Sequence, residues 1–372
     1  MELNQKNHGD GIATTDANNL ALTSTAGVAH SQRQPKKMTI ASFFAGVGGI
    51  DLGFKESGYF ETIYANEFDA WPVETFELNF PSLKVDCRDI RVVRPDDIPP
   101  VYGYVFGFPC QSFSISGKLQ GLNDPKGRGT LVFEVLRLAH VNQPRFLFAE
   151  NVKNLIHHDG GKTLAVILDA FEAEGYHVTW QVMNSTEYGN LPQNRERFYL
   201  VAFRDEADIK EFHFPKPVPL TKRPQDVIDF VNPVDDKYYY VDGRYKDGMY
   251  EKLVRSMDDP DAIYQWRRGH VRKNHSGVIP TLTANQGGGG HNVCLIKTAH
   301  GIRKMTPREC FNAQGFPETF NLPADVADSR LYKQAGNSVS VPVIQRIASN
   351  IGEAMQAVDD HNRQNTATTS IT

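Results

Sequence analysis

The chain has 372 residues, of which 40% are hydrophobic and 10% aromatic, enough for a sizeable core in one or two domains. A net charge of −4 and a pI of about 6.3 argue, taken alone, against nucleic-acid binding. No apolar run approaches the roughly 20 residues that span a bilayer, and the polar first residues lack the apolar core of a secretory signal, so we expect a cytoplasmic protein.

The two ends of the chain are polar. Residues 1–37 are rich in Asn, Thr, Ser, Gln and Ala. They bury too little apolar surface to offset the entropy of ordering, which predicts a disordered tail. The same composition predicts a second disordered tail over residues 357–372.

From Met38 the sequence alternates short apolar runs with amphipathic stretches. This alternation indicates an α/β fold with a parallel sheet covered on both faces. We assign that domain to residues 38–205 and expect residues 325–356 to complete it. The predicted strands lie at 39–44, 62–66, 104–108, 146–150, 177–182 and 197–203, and the predicted helices at 51–57, 70–79, 131–141, 163–174 and 341–355.

After Asp205 the alternation stops, and we expect residues 206–324 to form a second, smaller and irregular domain. Between Tyr264 and Arg308 the sequence contains no Asp or Glu. A basic segment in an acidic chain predicts a localised surface that faces phosphate groups. Its basic residues are Arg267, Arg268, Arg272, Lys273, Lys297, Arg303, Lys304 and Arg308.

A glycine-rich turn follows the first predicted strand. Gly46, Gly48 and Gly49 let the backbone approach a ligand closely and leave helix N–H groups free. Glu67 ends the next strand, where it can accept hydrogen bonds from both ribose hydroxyls of an adenosine cofactor. Asp51 stands where a dinucleotide fingerprint has its third glycine, and a carboxylate there favours a cationic sulfonium cofactor over a pyrophosphate.

Two further strand ends carry reactive side chains. Cys110 follows an apolar strand, and Glu150 ends another. A nucleophile and an acid at adjacent strand ends suit covalent catalysis. The remaining cysteines, Cys87, Cys294 and Cys310, form no Cys-x-x-Cys pair, so we predict neither a zinc site nor a disulfide framework.

Six motifs occur in a characteristic order along residues 38–356. They are Phe44-Ala45-Gly46-Val47-Gly48-Gly49, Pro109-Cys110-Gln111, Glu150-Asn151-Val152, Gln193-Asn194-Arg195-Glu196-Arg197, Arg303-Lys304-Met305-Thr306-Pro307-Arg308-Glu309 and Gly336-Asn337-Ser338-Val339. Together they resemble the ordered motifs of the DNA (cytosine-5)-methyltransferases of bacterial restriction–modification systems. Two features depart from the pattern of that family. Met305 stands where a leucine is more usual, and the polar tail before Met38 is additional.

The resemblance implies a Rossmann-like methyltransferase sheet that binds S-adenosylmethionine, no metal, and a target-recognition domain. It also implies that Cys110 attacks C6 of a cytosine, after which C5 accepts the methyl group. Glu150 would hold N3 and the amino group, Arg197 would orient Glu150 and contact O2, and Arg195 would stabilise negative charge on the ring. We expect one of the two arginines to point at the base and the other to support the loop.

The same resemblance assigns the remaining site residues. Because a base inside a duplex cannot reach such a site, the cytosine must be flipped out. The residues expected to bind the cofactor are Phe44, Gly46, Gly48, Gly49, Glu67, Phe68, Asp89, Ile90, Phe108, Pro109, Asn337 and Ser338. The residues expected to contact DNA are Ser114, Ser116, Gln265, Arg267, Arg268, Arg272, Thr281 and Asn285.

The expected partner is duplex DNA with a short specific site, bound by a monomer associated with the nucleoid. Whether a restriction endonuclease shares that site stays open at this point. Two alternatives also stay open: a cytosine-5 methyltransferase that acts on transfer RNA, and an inactive DNA-binding protein of the same fold. Intact Cys110, Glu150 and Arg197 argue against the inactive protein.

Overall fold

A computed structural model describes residues 37–108, 131–245, 248–267, 269–286 and 293–369. Five predicted site residues, Pro109, Cys110, Ser114, Ser116 and Arg268, lie outside these ranges. The first elements in chain order are β1 (Met38–Phe43), α1 (Gly49–Glu56), β2 (Phe60–Asn66), α2 (Ala70–Asn79), β3 (Val85–Asp86), β4 (Gly103–Gly107), α3 (Leu131–Asn142), β5 (Phe146–Val152), α4 (Lys162–Ala173), β6 (His177–Asn184), α5 (Ser185–Tyr188) and β7 (Glu196–Phe203).

The second half of the chain contains a smaller sheet and the closing helices. Its elements are α6 (Glu206–Glu211), α7 (Met249–Ser256), β8 (Tyr264–Arg267), β9 (His270–Lys273), β10 (Val293–Thr298), β11 (Gly301–Lys304), α8 (Pro307–Ala313), α9 (Asp328–Asn337) and α10 (Val341–Thr369). None of the helices in the described ranges is both long and apolar enough to cross a membrane.

Seven strands form the main sheet, in the order β3-β2-β1-β4-β5-β7-β6. The five strands from β3 to β5 are parallel, as predicted. The prediction of a parallel sheet is wrong for β7, which pairs antiparallel with both β5 and β6. The connection from β6 to β7 contains only the four-residue helix α5, which is too short for the crossover that a parallel pair requires.

The main sheet is buried on both faces. Alternate residues of each strand point to opposite sides, so Leu147 and Ala149 of β5 face α3 and α4. Phe146 and Phe148 of the same strand face α1 and α10. Helix α10 therefore returns the end of the chain to the first sheet, as the sequence predicts.

Helix α10 is longer than predicted. Residues 357–369, which the sequence predicts to be disordered, continue the helix. Val358 is buried in this extension, and Asp359 forms an ion pair with Arg145 at 2.7 Å. These contacts anchor the first turn beyond residue 356, and a helix that has already formed extends at low entropic cost.

The four strands of the second sheet are antiparallel, in the order β11-β10-β8-β9. Helix α7 covers one face of this sheet with Met249 and Leu253. On β10 the opposite face shares a hydrophobic core with α1, in which Ile296 and Leu52 both take part. Helix α1 of the predicted first domain thus packs against the second sheet, and the predicted domain boundaries at residues 205 and 324 stay predictions.

Asp51 is fully buried beneath the main sheet and accepts hydrogen bonds from Ser42 Oγ at 3.0 Å and Thr62 Oγ1 at 2.9 Å. It therefore does not face a ligand across the glycine turn, and its carboxylate supplies no argument about the charge of the cofactor. Burial raises the pKa of Asp51 from 3.8 to about 6, although both hydroxyl hydrogen bonds oppose that rise.

This burial makes stability depend on pH. Because the folded chain holds the Asp51 proton more tightly than the unfolded chain, the stabilisation is complete below pH 3.8 and is lost as the pH rises through about 6. Between low and neutral pH, the free energy of unfolding falls by on the order of 3 kcal/mol through this group. On the order of 1 kcal/mol of that fall lies between pH 5 and pH 7. Asp51→Asn should remove this part of the pH dependence in urea unfolding.

A matched control is Asp169→Asn, which alters an exposed carboxylate on α4. It should leave the slope of unfolding free energy against pH as in the wild type. An Asp51→Asn slope equal to that of the wild type would show that the buried carboxyl does not titrate in this range.

Candidate active site

The turn after β1 takes backbone conformations that favour glycine. Gly48, with φ of 83°, caps the N-terminus of α1. A Cβ atom there would lie 2.6 Å from the Phe80 ring, and one on Gly49 would lie 2.6 Å from Ser338 Oγ. Glycine is thus required at both positions for close packing. The turn brings the start of α1 against the end of α9.

Glu67 is fixed at the end of β2 by two backbone donors. Its Oε2 accepts from Gly46 N at 2.9 Å, and its Oε1 accepts from Asp69 N at 2.8 Å. Burial raises the pKa of Glu67, and these two backbone hydrogen bonds oppose the rise. The carboxylate is therefore held in one orientation at the rim of a cavity that begins beside the glycine turn.

Asp89 lies beyond the next strand and is tied to its own turn. Its Oδ1 accepts from Arg91 N at 3.0 Å and from Arg91 Nε at 2.9 Å. The Arg91 side chain is the main cause that holds the pKa of Asp89 below its ordinary value. Ile90 is buried, whereas Phe68 is 72% exposed at the entrance. A ligand that meets Asp89 would thus meet a carboxylate already paired with a cation.

One cavity of about 650 Å³ contains most of the predicted site. This volume is in the range usual for small-molecule pockets. Gly48 lies behind the cavity wall, against the rings of Phe76 and Phe80. The predicted residues that line the cavity are Phe44, Gly46, Gly49, Glu67, Phe68, Asp89, Ile90, Phe108, Glu150, Arg195, Arg197, Asn337 and Ser338.

Glu150 and Arg197 form an ion pair at one end of this cavity, with Arg197 Nε 3.1 Å from Glu150 Oε1. The antiparallel register of β5 and β7 places Arg197 opposite Val152, diagonal to Glu150 on the same face. Burial raises the pKa of Glu150, and the charges of Arg197 and Arg195 oppose that rise. The pair therefore combines a buried carboxyl with a cation that orients it.

Arg195 lines the same cavity, because residues two apart on an extended chain face the same side. Both arginines therefore line the cavity, although among the described residues only Arg197 forms an ion pair with Glu150. Arg195 also supports the surrounding loops, since its guanidinium donates to the backbone oxygens of Leu282 and Gly336 at 2.9 and 3.2 Å, and to that of Ser338. Burial lowers the pKa of Arg195 to about 9, so it stays charged at pH 7.

The predicted basic segment is not one continuous surface. Arg303 is fully buried and holds Glu309 with two hydrogen bonds, at 2.7 and 2.8 Å. Lys297 donates to Met257 O, and Arg308 donates to Phe320 O. These three side chains stabilise the fold, and the sequence alone does not reveal this because residue type does not show which basic side chains are turned towards the protein.

The predicted DNA-contacting residues on β8 and β9 do share one face. Gln265 pairs with Arg272 and Arg267 with His270 across the two strands, opposite the face on which Tyr264 packs into the core. Two other residues predicted to contact DNA lie outside these two strands and differ from each other in their surroundings. Thr281 Oγ1 donates to Asn194 O at 2.6 Å, whereas Asn285 is exposed.

Sequence reasoning missed a group of residues that joins α2 to α9 at the cavity entrance. Lys333 Nζ lies 2.8 Å from Asp69 Oδ2, and the Arg330 guanidinium lies 5.0 Å from the centre of the Trp71 ring. Arg330, Lys333, Asp69 and Trp71 all line the cavity. The only sequence signal is the position of Asp69 and Trp71 directly after Glu67.

Comparison with known proteins finds one family that matches most of the chain. The model of the family "C-5 cytosine-specific DNA methylase" matches residues 38–353. Type II methyltransferase M.Bsp6I of Bacillus sp. (strain RFL6) is 52% identical over 318 residues, which cover 86% of this chain and 99% of that protein. Type II methyltransferase M.HhaI of Haemophilus parahaemolyticus is 36% identical over 336 residues, covering 87% and 97%.

Solved structures show the same fold at low sequence identity. Spodoptera frugiperda DNMT2 superposes with a TM-score of 0.65 at 19% identity, covering 85% of this chain and 99% of that chain. Entamoeba histolytica methyltransferase EhMeth gives a TM-score of 0.63 at 19% identity, covering 86% and 99%. Since the family model spans most of the sequence and its relatives are covered almost end to end, this chain belongs to the C-5 cytosine-specific DNA methylase family and is an enzyme of that class.

Proposed function

We propose that this enzyme transfers a methyl group from S-adenosylmethionine to C5 of a flipped-out cytosine within a short, specific sequence of duplex DNA. The observation that carries the proposal is that a single cavity contains both Glu67 and the Glu150–Arg197 pair. Glu67 suits a ribose, and the pair suits the Watson–Crick edge of a base. A methyl donor and its acceptor would thus bind side by side.

The residues around the glycine turn fit S-adenosylmethionine. Glu67 would accept from the ribose hydroxyls, Phe44 and Phe68 would frame the adenosine, and Asp89 would accept from the adenine amino group. Asn337 and Ser338 would close the pocket from α9. Bound here, the cofactor would supply an electrophilic methyl group on its sulfonium sulfur.

Glu150 would act on the cytosine. Burial raises its pKa, which favours a carboxyl that can share a proton with N3 while it accepts from the amino group. Arg197 would hold this carboxyl in place and contact O2. Arg195 would add positive charge close to the ring, where negative charge develops.

Cys110 would be the nucleophile, although it lies outside the described residues. Its thiolate would add to C6 and make C5 electron-rich, because C5 of free cytosine is a poor nucleophile. Once C5 has accepted the methyl group, loss of the C5 proton and expulsion of Cys110 would give 5-methylcytosine. Ser114 and Ser116, which also lie outside the described residues, would contact the DNA around the flipped base.

Recognition of DNA is proposed for the exposed face of β8 and β9. Gln265, Arg267 and Arg272 share this face, and both side-chain types can bind base edges or phosphates. The family description and the Type II names of the sequence relatives support DNA as the substrate and a restriction–modification role. We therefore propose that a cognate endonuclease cleaves the same site when it is unmethylated. We also propose that the enzyme acts as a monomer on DNA in the cytoplasm.

Labelled methyl transfer tests this proposal against the transfer RNA alternative. With S-adenosylmethionine labelled in its methyl group, we expect incorporation into unmethylated duplex DNA and none into transfer RNA. Mapping 5-methylcytosine in DNA from cells that express the protein should return one short sequence. Transfer to RNA alone would contradict the proposal.

The nucleophile needs its own control in the same experiment. Cys110→Ser should incorporate no label, and only the wild type should form a covalent adduct with duplex DNA that carries 5-fluorocytosine in the mapped site. An adduct of equal yield in both proteins would exclude Cys110 as the nucleophile.

Glu150→Gln should lower the rate of methylation by about 10²- to 10⁴-fold, because an amide cannot share a proton with N3. Glu206→Gln is the matched control, since Glu206 is an exposed carboxylate on α6 paired with Lys210, and such surface changes cost less than about 0.5 kcal/mol. Single-turnover rates at saturating DNA measure both. A Glu150→Gln rate close to that of the control would remove Glu150 from the mechanism.

A further inference from the structure

Arg195 joins three separate parts of the chain. One guanidinium nitrogen donates to Leu282 O at 2.9 Å, in the segment that follows the β8–β9 hairpin. The other donates to Gly336 O at 3.2 Å and to Ser338 O, at the end of α9. The last carbonyls of a helix have no partner within the helix and carry partial negative charge. A buried arginine is therefore a suitable group to bind the end of α9.

The end of α9 also touches the 281–286 segment directly. A Cβ atom on Gly336 would lie 2.2 Å from Thr283 C and 2.4 Å from Ala284 N. Only glycine permits this approach, because these neighbours are backbone atoms that cannot rotate away. The segment is held from its other side by Leu282 N, which donates to Gln193 Oε1 at 3.2 Å. A displacement of the 281–286 segment would thus move α9 or break these contacts.

Helix α9 reaches the cofactor side of the cavity through a second set of contacts. Lys333 is paired with Asp69 at 2.8 Å, and Asp69 N donates to Glu67 Oε1 at 2.8 Å. Gln334 Oε1 accepts from Thr75 Oγ1 at 2.9 Å on α2. The helix therefore contacts the supports of Glu67 near its middle and Arg195 at its end.

The position of Arg195 matters for the base-binding carboxyl. Its charge opposes the rise in the pKa of Glu150, so the proton affinity of Glu150 depends on where Arg195 sits. Its Nε is buried and has no hydrogen-bond partner among the described residues. Within the described ranges, the guanidinium donates hydrogen bonds to these three carbonyls, which fix its place.

We propose that Arg195 is a positioning residue that couples the cofactor pocket to the DNA-binding side, so that cofactor and DNA bind cooperatively. This inference rests on the proposed function. Lys333 of α9 lines the cavity, so a cofactor that restrains α9 restrains two of the three acceptors of Arg195, and DNA that binds the 281–286 segment restrains the third. Each ligand then lowers the entropic cost of ordering the site for the other. By linkage, the two affinities rise by the same factor.

Arg195→Lys tests the coupling. We expect S-adenosylhomocysteine, which cannot react, to bind the wild type about 10-fold more tightly when a duplex with the mapped site is present. The coupling is measured by the ratio of the dissociation constant of S-adenosylhomocysteine without duplex to that with duplex. Lysine keeps the charge but loses the planar fork that spans three carbonyls. In Arg195→Lys this ratio should therefore lie within about twofold of one. Calorimetry gives the dissociation constant of S-adenosylhomocysteine with and without saturating duplex.

Gly336→Ala is the second variant and should lower the same ratio, because its methyl group separates α9 from residues 283 and 284. Arg346→Lys is the matched control. Arg346 also spans two carbonyls, those of Tyr188 and Lys216, both at 2.8 Å, and Arg346 does not line the cavity. Its ratio should equal that of the wild type.

The outcomes separate the coupling from the proposed function. The coupling is supported if the ratio of dissociation constants falls towards one in Arg195→Lys and in Gly336→Ala, while Arg346→Lys keeps the ratio of the wild type. An unchanged ratio in both test variants, or no ratio above one in the wild type, overturns it while both ligands still bind. A wild type that binds neither S-adenosylhomocysteine nor DNA would overturn the proposed function, and the coupling with it.

Discussion

The Glu150–Arg197 pair is the interaction on which the arrangement of the cavity depends. A carboxylate buried without a partner costs several kcal/mol, and Glu150 is buried at the point where the sheet meets the cavity. Arg197 compensates that charge from the neighbouring strand at 3.1 Å. The reversal of β7 is what makes this contact possible, since its antiparallel register sets Arg197 diagonal to Glu150. The antiparallel strand β7 therefore contributes directly to the site.

The sequence predicts local structure well where a local interaction decides it. The predicted and observed bounds of α2 coincide at Ala70–Asn79, because Asp69 accepts from Trp71 N and so fixes the start of the helix. The glycine turn and Glu67 are likewise close in sequence, and the structure joins them through Gly46 N. The predicted cofactor residues Phe44 and Asp89 also line the cavity.

The predictions that are wrong concern the direction of one strand and the burial of charged side chains, neither of which the pattern of residue types specifies. The orientation of β7 depends on a short connection, and the burial of Arg303 depends on Glu309 and on a backbone carbonyl 74 positions away. The sequence identifies a residue as charged but does not show whether its side chain contacts a phosphate group or a buried carboxylate. For the same reason Asp51 reads as a neighbour of the ligand although its partners are Ser42 and Thr62, inside the sheet. Charge counts along the sequence therefore identify a candidate region, and burial decides which members face solvent.

Arg195 shows why one motif can serve two purposes. It lies in the same five-residue motif as Arg197, yet its acceptors at Leu282 and Ser338 are 87 and 143 positions further along the chain. A lysine or a neutral residue would leave the end of α9 with unpaired carbonyls in a buried place, which costs roughly 1–3 kcal/mol for each group. The guanidinium thus meets a structural need that exists before any ligand binds. Because it meets that need beside Glu150, the proposed coupling would let a ligand that restrains α9 or the 281–286 segment act on the carboxyl that would hold the base.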